Sequence, residues 1–289
     1  MKKILLATTV LAASATVAAA EVTVSGNGYM GIGNFFIAST TPLVVENDDI
    51  ELRSRIRIVF TASGETDGGL AFGGSIRADN AAGGAAGTAG SVFISGAFGK
   101  LSMGDVDGAA TAAVGHVAGV GYTGLSDLNE STYIAGGTKE SALYEYSAGS
   151  LSFYASVGQT RAATTPWSVA VAYAADGYTF ALGYEDNDNG SGHIIAGASA
   201  TMSNITLKAV YGTASGTING NQWGLSATYA QDAMAATVFY TDDSEVGGVE
   251  AYGIGASYDL GGGATVKGGY VRNQTASTDG FDLGVTFSF

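Results

Sequence analysis

The chain has 289 residues, no cysteine, 45 glycines against 2 prolines, and a formal charge of −14. Acidity on that scale excludes a nucleic-acid partner, whose phosphates demand a basic face, and the missing cysteines exclude a disulfide-stapled secreted fold. The 15 tyrosines and scarce prolines exclude a disordered low-complexity chain despite the glycine load.

Residues 1–20 read as a secretory signal peptide. Lys2 and Lys3 give a positive start, Ile4 to Val17 supplies a short apolar run, and Ala18, Ala19 and Ala20 form the small-residue pattern that precedes cleavage, expected before Glu21. Loss of the two lysines takes the formal charge from −14 to −16. Residues 21–289 are expected to form one domain. After residue 20 no stretch is apolar long enough to span a bilayer as a helix.

From Glu21 onward the hydrophobic pattern has period two, broken by turn signals. Five strands are expected near 22–36, 50–61, 69–78, 91–98 and 100–105. A long connection, about Val106 to Lys139, follows, and its Gly108–Gly115 stretch is expected to form a short helix. Eleven more strands are expected near 140–147, 151–160, 166–174, 178–186, 192–202, 205–213, 221–230, 234–241, 249–258, 264–272 and 280–289. The last is the plainest: Phe281, Leu283, Val285, Phe287 and Phe289 alternate with Asp282, Gly284, Thr286 and Ser288.

Connections alternate in length. Ser147–Ser150, Ala174–Gly177, Met202–Asn204, Ala230–Ala233 and Asp259–Gly263 are tight, whereas Asp186–Ser191, Thr213–Gly220, Asp242–Gly248 and Asn273–Asp279 are longer and polar. Sixteen antiparallel strands with short turns at one rim and long loops at the other predict an all-β transmembrane barrel: periplasmic turns, extracellular loops, an even strand number. A closed sheet pairs every backbone polar group and needs no disulfide.

The apolar face identifies its solvent. Trp167 with Tyr173, Tyr178 with Tyr184, Trp223 with Tyr229, Tyr252 with Tyr258 and Phe281 with Phe287 each stand six residues apart on one face. Two such belts flank an apolar band, as the two interfaces of a bilayer require. Outward residues from Val22 to Met103 include no Tyr or Trp, so the face of the first five strands is expected to meet protein, in an oligomer.

Arg53, Arg55 and Arg57 fall on alternate positions opposite Leu52, Ile56 and Ile58, and Arg77 projects inward by the same parity. Guanidinium groups facing lipid would each cost roughly 2–4 kcal/mol near the midplane. They therefore face water, and the interior is wet. The long connection carries Asp105, Asp107, Asp127 and Glu130; folded into the lumen, it would set these acids across from the arginines and create a transverse field.

Four segments carry a family resemblance: Glu21-Val-Thr-Val-Ser-Gly26, the Arg53-x-Arg55-x-Arg57 strand, Gly99-Lys-Leu-Ser-Met-Gly104-Asp-Val-Asp107, and Phe287-Ser-Phe289. Together they resemble the general porins of α-proteobacteria, the Rhodobacter type. The resemblance implies a water-filled channel in the Gram-negative outer membrane for ions and small hydrophilic solutes. It implies a homotrimer, the third loop folded inside opposite the arginines, and Phe289 as part of the signal read by the assembly machinery. It also marks Asp105 and Asp107 as calcium candidates; no other cofactor is expected. The Ala/Gly-rich loop departs from the family pattern.

Other signals are set aside. Gly26-x-Gly28-x-x-Gly31 matches a dinucleotide-binding expression, but no helix pattern follows it. Asp186-Asn-Asp188-Asn-Gly190 lacks the bidentate glutamate of a calcium loop. His116 and His193 have no converging serine and carboxylate in the sequence, and His193 points inward by parity, so no enzyme is expected. The competing reading is a structural or adhesive barrel whose inward loop plugs the lumen.

Overall fold

The computed structural model describes residues 21–34, 50–79, 90–135, 141–158 and 163–289. The expected signal peptide lies outside them. The strands are β1 (Glu21–Asn34), β2 (Glu51–Glu65), β3 (Ala71–Asp79), β4 (Ser91–Gly96), β5 (Gly99–Gly104), β6 (Ser141–Ala148), β7 (Leu151–Val157) and β8 (Trp167–Ala175). They continue as β9 (Tyr178–Asp186), β10 (Ser191–Met202), β11 (Ile205–Gly216), β12 (Gly220–Gln231), β13 (Met234–Asp242), β14 (Glu250–Gly261), β15 (Ala264–Asn273) and β16 (Thr278–Ser288). Each pairs antiparallel with its neighbours, and β1 closes on β16 to complete a sixteen-stranded barrel.

Closure is completed at the C-terminus. Phe289 N–H donates to Gly26 C=O at 3.0 Å, and Gly26 N–H donates to Phe289 C=O at 2.7 Å. The Phe289 ring lies over Gly26, where a Cβ would come within 2.6 Å of it. No helix among the described residues is long and apolar enough to cross a membrane; the strands do the crossing.

Turn chemistry at the short rim follows the strand twist. Asp176 (φ 26°) and Gly177 (φ 84°) join β8 to β9 with two left-handed residues, as a tight hairpin demands. At the other rim, several strands run further than the hydrophobic pattern indicates. β11 continues to Gly216 and β16 starts at Thr278, which shortens the connections beside them to residues 217–219 and 274–277; the other two span residues 187–190 and 243–249. The added residues are Ala214, Ser215, Gly216, Thr278 and Asp279. They pair through their backbones, as in Ser191 with Gly216, without an apolar alternation to reveal it.

The outer face is apolar and exposed: Leu182, Leu225, Ile254 and Leu283 lie between the belt residues of their strands, and the Tyr and Trp belts sit above and below. Trp223 stacks on Tyr240 at 4.7 Å and Trp167 leans on Tyr184 at 5.4 Å, so belt residues brace their neighbours across strands. Ile254→Lys is expected to cost roughly 2–4 kcal/mol of folding stability in lipid, because it sets a charge near the midplane. Ser152→Lys, on the inner face of β7, is expected to be near neutral. Urea titrations in liposomes check both.

Candidate functional site: the lumen and its inward loop

The inner wall is unequal. On β2 and β3 it carries the arginines. Arg57 Nε lies 3.0 Å from Asp79 Oδ2 and Arg77 Nε 2.9 Å from Asp79 Oδ1, so one carboxylate bridges two strands. Arg53 meets Glu51 at 3.0 Å. The Arg55 guanidinium lies 4.6 Å above the centre of the Tyr29 ring on β1. Glu51 and Asp79 were not among the sequence candidates. Their signal is parity: each stands two residues from an arginine on the same strand and therefore on the same face.

Residues 105–135, here loop 3, enter the barrel. The expected helix forms as α1 (Ala109–Val114), and the wall holds both of its ends. At its start, Ala109 N–H donates to Ser156 Oγ at 2.8 Å and Ala110 N–H to Ser168 Oγ at 3.2 Å. These serines satisfy donors that a helix of six residues cannot pair internally. At its end, Lys208 Nζ on β11 donates to Val114 C=O at 2.7 Å.

Beyond the helix the loop runs along the wall. Ala118 N–H donates to Ser226 Oγ on β12 at 3.0 Å. The turn at the tip is clamped by Asp282 on β16: its Oδ2 accepts from Tyr122 N–H (2.9 Å), Thr123 N–H (2.8 Å) and Thr123 Oγ1 (2.7 Å). The Tyr122 ring then meets Tyr29 edge-on at 5.1 Å, so the tip ends against the residue on which Arg55 rests. Burial, then Asp282 and Tyr29, push the Tyr122 phenol up to about 12, and it stays neutral. Leu125, Ser126 and Asp127 all have positive φ, which turns the chain back. Left-handed backbone at Leu125 costs about 1–2 kcal/mol; its burial, at 1% exposure, offsets that.

The return limb is pinned as firmly. Thr241 Oγ1 donates to Leu128 C=O, Asn129 Nδ2 to Val117 C=O, Tyr133 Oη to Gly115 C=O, and Ser131 N–H to His116 Nδ1. Val114, Val117, Val120 and Leu125 form a small apolar core with the inward residues Ile195, Val210, Phe239 and Val271. Loop and wall meet so closely because the wall offers glycine where the loop crosses it. A Cβ on Gly255 would lie 2.8 Å from Val120 Cβ, and one on Gly269 only 2.5 Å from Gly121 N. Gly183, Gly197, Gly224, Gly284 and Gly31 meet Ala110, Val114, Val117 and Tyr122 in the same way.

Loop 3 therefore lines the inner wall from β7 round to β1, and the arginines of β2 and β3 lie beyond its tip. Asp105, Asp107, Asp127 and Glu130 are all exposed on the loop. Among the described residues no three His, Cys, Asp or Glu side chains converge as a metal site. Calcium takes six to eight oxygens, so at Asp105 and Asp107 it would draw most of them from backbone and water.

A closed sheet with a lipid-facing outside, a charged inner wall and a loop that occupies part of the cross-section defines an outer-membrane diffusion channel. The relatives agree with the geometry, and the chain belongs to the Gram-negative porin family, whose profile matches residues 7–280. It is 35% identical to a porin of Rhodobacter capsulatus over 93% of this chain and 100% of that one. It is 28% identical to a porin of Fuscovulum blasticum over 92% and 100%. A porin structure refined at 1.8 Å superposes with a TM-score of 0.77 at 31% identity, covering 93% of this chain and all of the other. A mutant Rh. blastica porin at 24% identity shares the fold with the same TM-score. The protein is an outer-membrane porin of the Rhodobacter kind, and the family implies a channel in place of an enzyme.

Proposed function

We propose that ions and small hydrophilic solutes diffuse through a constriction between Arg53, Arg55, Arg57 and Arg77 on one side and Asp105, Asp107, Asp127 and Glu130 on the other. The inward arginines of β2 and β3 carry this reading, since guanidinium groups inside a closed barrel require water or counter-charge. With Glu51 and Asp79 included, acids outnumber bases around the opening, and cations are expected to pass more readily than anions. Purified protein in a planar bilayer is expected to give discrete conductance steps; silence would favour a plugged barrel. A unit charge acting across a Debye length of ~8 Å of water is worth ~0.2 kcal/mol after screening, with opposite sign for cation and anion, so single charge changes shift the cation-to-anion permeability ratio about twofold. Arg55→Ala is expected to raise that ratio and Asp107→Asn to lower it, as reversal potentials in a salt gradient will read. No change in either would remove both groups from the constriction.

Three copies associate, in this reading, through the outer face of β1–β5. That face carries aliphatic and Phe side chains without a Tyr or Trp belt, and an open groove of about 840 Å³ lined by Val22, Phe60, Ile76, Val92, Met103 and Val157 runs along it. Phe60→Arg is expected to reduce a trimer to monomers in mild detergent, measured by light scattering. Phe289, whose side chain is exposed on the closing seam, is assigned to recognition by the assembly machinery.

A further inference from the structure

Between the wall and the returning limb of loop 3 runs a buried chain of polar groups that diffusion through the pore does not itself use. Glu185 on β9, His193 on β10 and Gln222 on β12 face inward and are 0%, 1% and 0% exposed. The loop backbone dictates which of them donates. Thr132 N–H donates to Gln222 Oε1 at 2.9 Å, and Thr132 C=O accepts from Gln222 Nε2 at 2.7 Å. A backbone N–H only donates and a C=O only accepts, so the Gln222 amide has a single orientation. Its Nε2 lies 2.8 Å from His193 Nε2, which must accept. The ring proton therefore sits on Nδ1 and is donated to Glu185 Oε2 at 2.9 Å. The same oxygen accepts Ile134 N–H at 3.0 Å, and Glu185 Oε1 has no partner among the described residues.

Only a neutral imidazole satisfies this chain. A second proton, on Nε2, would aim an N–H at the Gln222 amide N–H, and Gln222 cannot turn without losing both bonds to Thr132. We propose that His193 is a positioning residue whose protonation releases the Ser131–Ala135 limb of loop 3 from the wall and narrows the pore, an acid-operated latch. The inference rests on the channel reading of the lumen.

The charges around His193 set the balance. Glu185 faces it from β9, β11 offers Ala214 and Gly212, neither of them ionisable, and β12 offers Gln222. From the β13–β14 connection comes Asp243, whose Oδ2 accepts Thr132 N–H at 2.6 Å, with Asp242 beside it. Loop 3 adds Tyr133, Asp107 and His116, whose ring meets Tyr133 at 5.4 Å. The carboxylates favour an imidazolium; burial and the fixed Gln222 amide oppose it. Burial pushes the Asp243 carboxyl up to about 6. Protonation below about 6 relieves that buried charge but weakens the bond from Thr132 N–H, which favours the carboxylate, so Asp243 titrates in the same range and the His193→Gln variant separates the two groups.

The test uses the full-length porin in planar bilayers, titrated from about pH 8 to about pH 5, across the range where imidazoles change charge. Wild-type single-channel conductance is expected to fall reversibly across this range. His193→Gln keeps an acceptor for Gln222 and a donor for Glu185 but cannot charge; it is expected to match wild type near pH 8 and to lose the fall. Gln222→Leu, checked for a folded barrel by heat-modifiable gel mobility, is expected to show the lowered conductance already near pH 8. A pH response unchanged in His193→Gln, or no response in wild type, would overturn the latch. An absence of conductance steps at every pH would instead remove the channel reading beneath it.

Discussion

Asp282→Ala is expected to unseat the tip of loop 3 and turn a steady pore into a flickering one. The carboxylate is buried and accepts three hydrogen bonds through one oxygen, two of them from backbone N–H groups of Tyr122 and Thr123. Alanine leaves those donors buried without a partner, at about 1–3 kcal/mol each. The loop already lies against the wall, so a freed tip has only the open side of the lumen to move into. Brief partial closures and greater open-channel noise should follow, while the strand pairing and heat-modifiable mobility of the barrel stay as in wild type. Asp282→Asn, which keeps an acceptor oxygen, should give a milder form of the same behaviour. Single-channel traces as quiet as wild type in Asp282→Ala would show that the apolar contacts of Val117, Val120 and Leu125 hold the tip unaided.

Gly269→Val is expected to lower conductance without the noise. A Cβ there would stand 2.5 Å from Gly121 N and 2.9 Å from Gly121 Cα, both backbone atoms that no rotamer change can move aside. The loop must shift toward the arginines, at a typical overpacking cost of about 1–3 kcal/mol, while Asp282 keeps it tethered. The outcome is a pore that is narrower but still well defined. Larger uncharged solutes should lose permeability more than small ions, as liposome-swelling rates will measure. Val266→Ala, on the lipid face of the same strand opposite Tyr258 and Val285, is the control and should leave both quantities unchanged.

These two residues show where sequence reasoning stops. Asp282 falls in the plainest strand of the chain, and its inward direction follows from parity alone. That it clamps Tyr122 and Thr123, 159 and more residues away, follows from no local pattern. Glycines at inner-wall positions read as polar-face filler until the loop is laid over them. One signal was present in the sequence: Ile194-Ile195, Val238-Phe239 and Tyr270-Val271 are apolar on both faces, which an unoccupied watery lumen does not favour. Such doublets mark the wall that the loop covers. The partners of the arginines were likewise legible, since Glu51 and Asp79 share parity with Arg53 and Arg77, whereas the loop acids are distant in the chain.

The amino-acid order alone settled the barrel, its strand number to within two, which face meets lipid and which meets water. Those properties repeat every two residues, and the bilayer imposes the same demand on every strand, so each segment carries its own answer. The course of loop 3 belongs to the folded molecule only. It arises from single hydrogen bonds and close approaches among residues scattered over eleven strands, and a contact between distant positions leaves no periodicity to read.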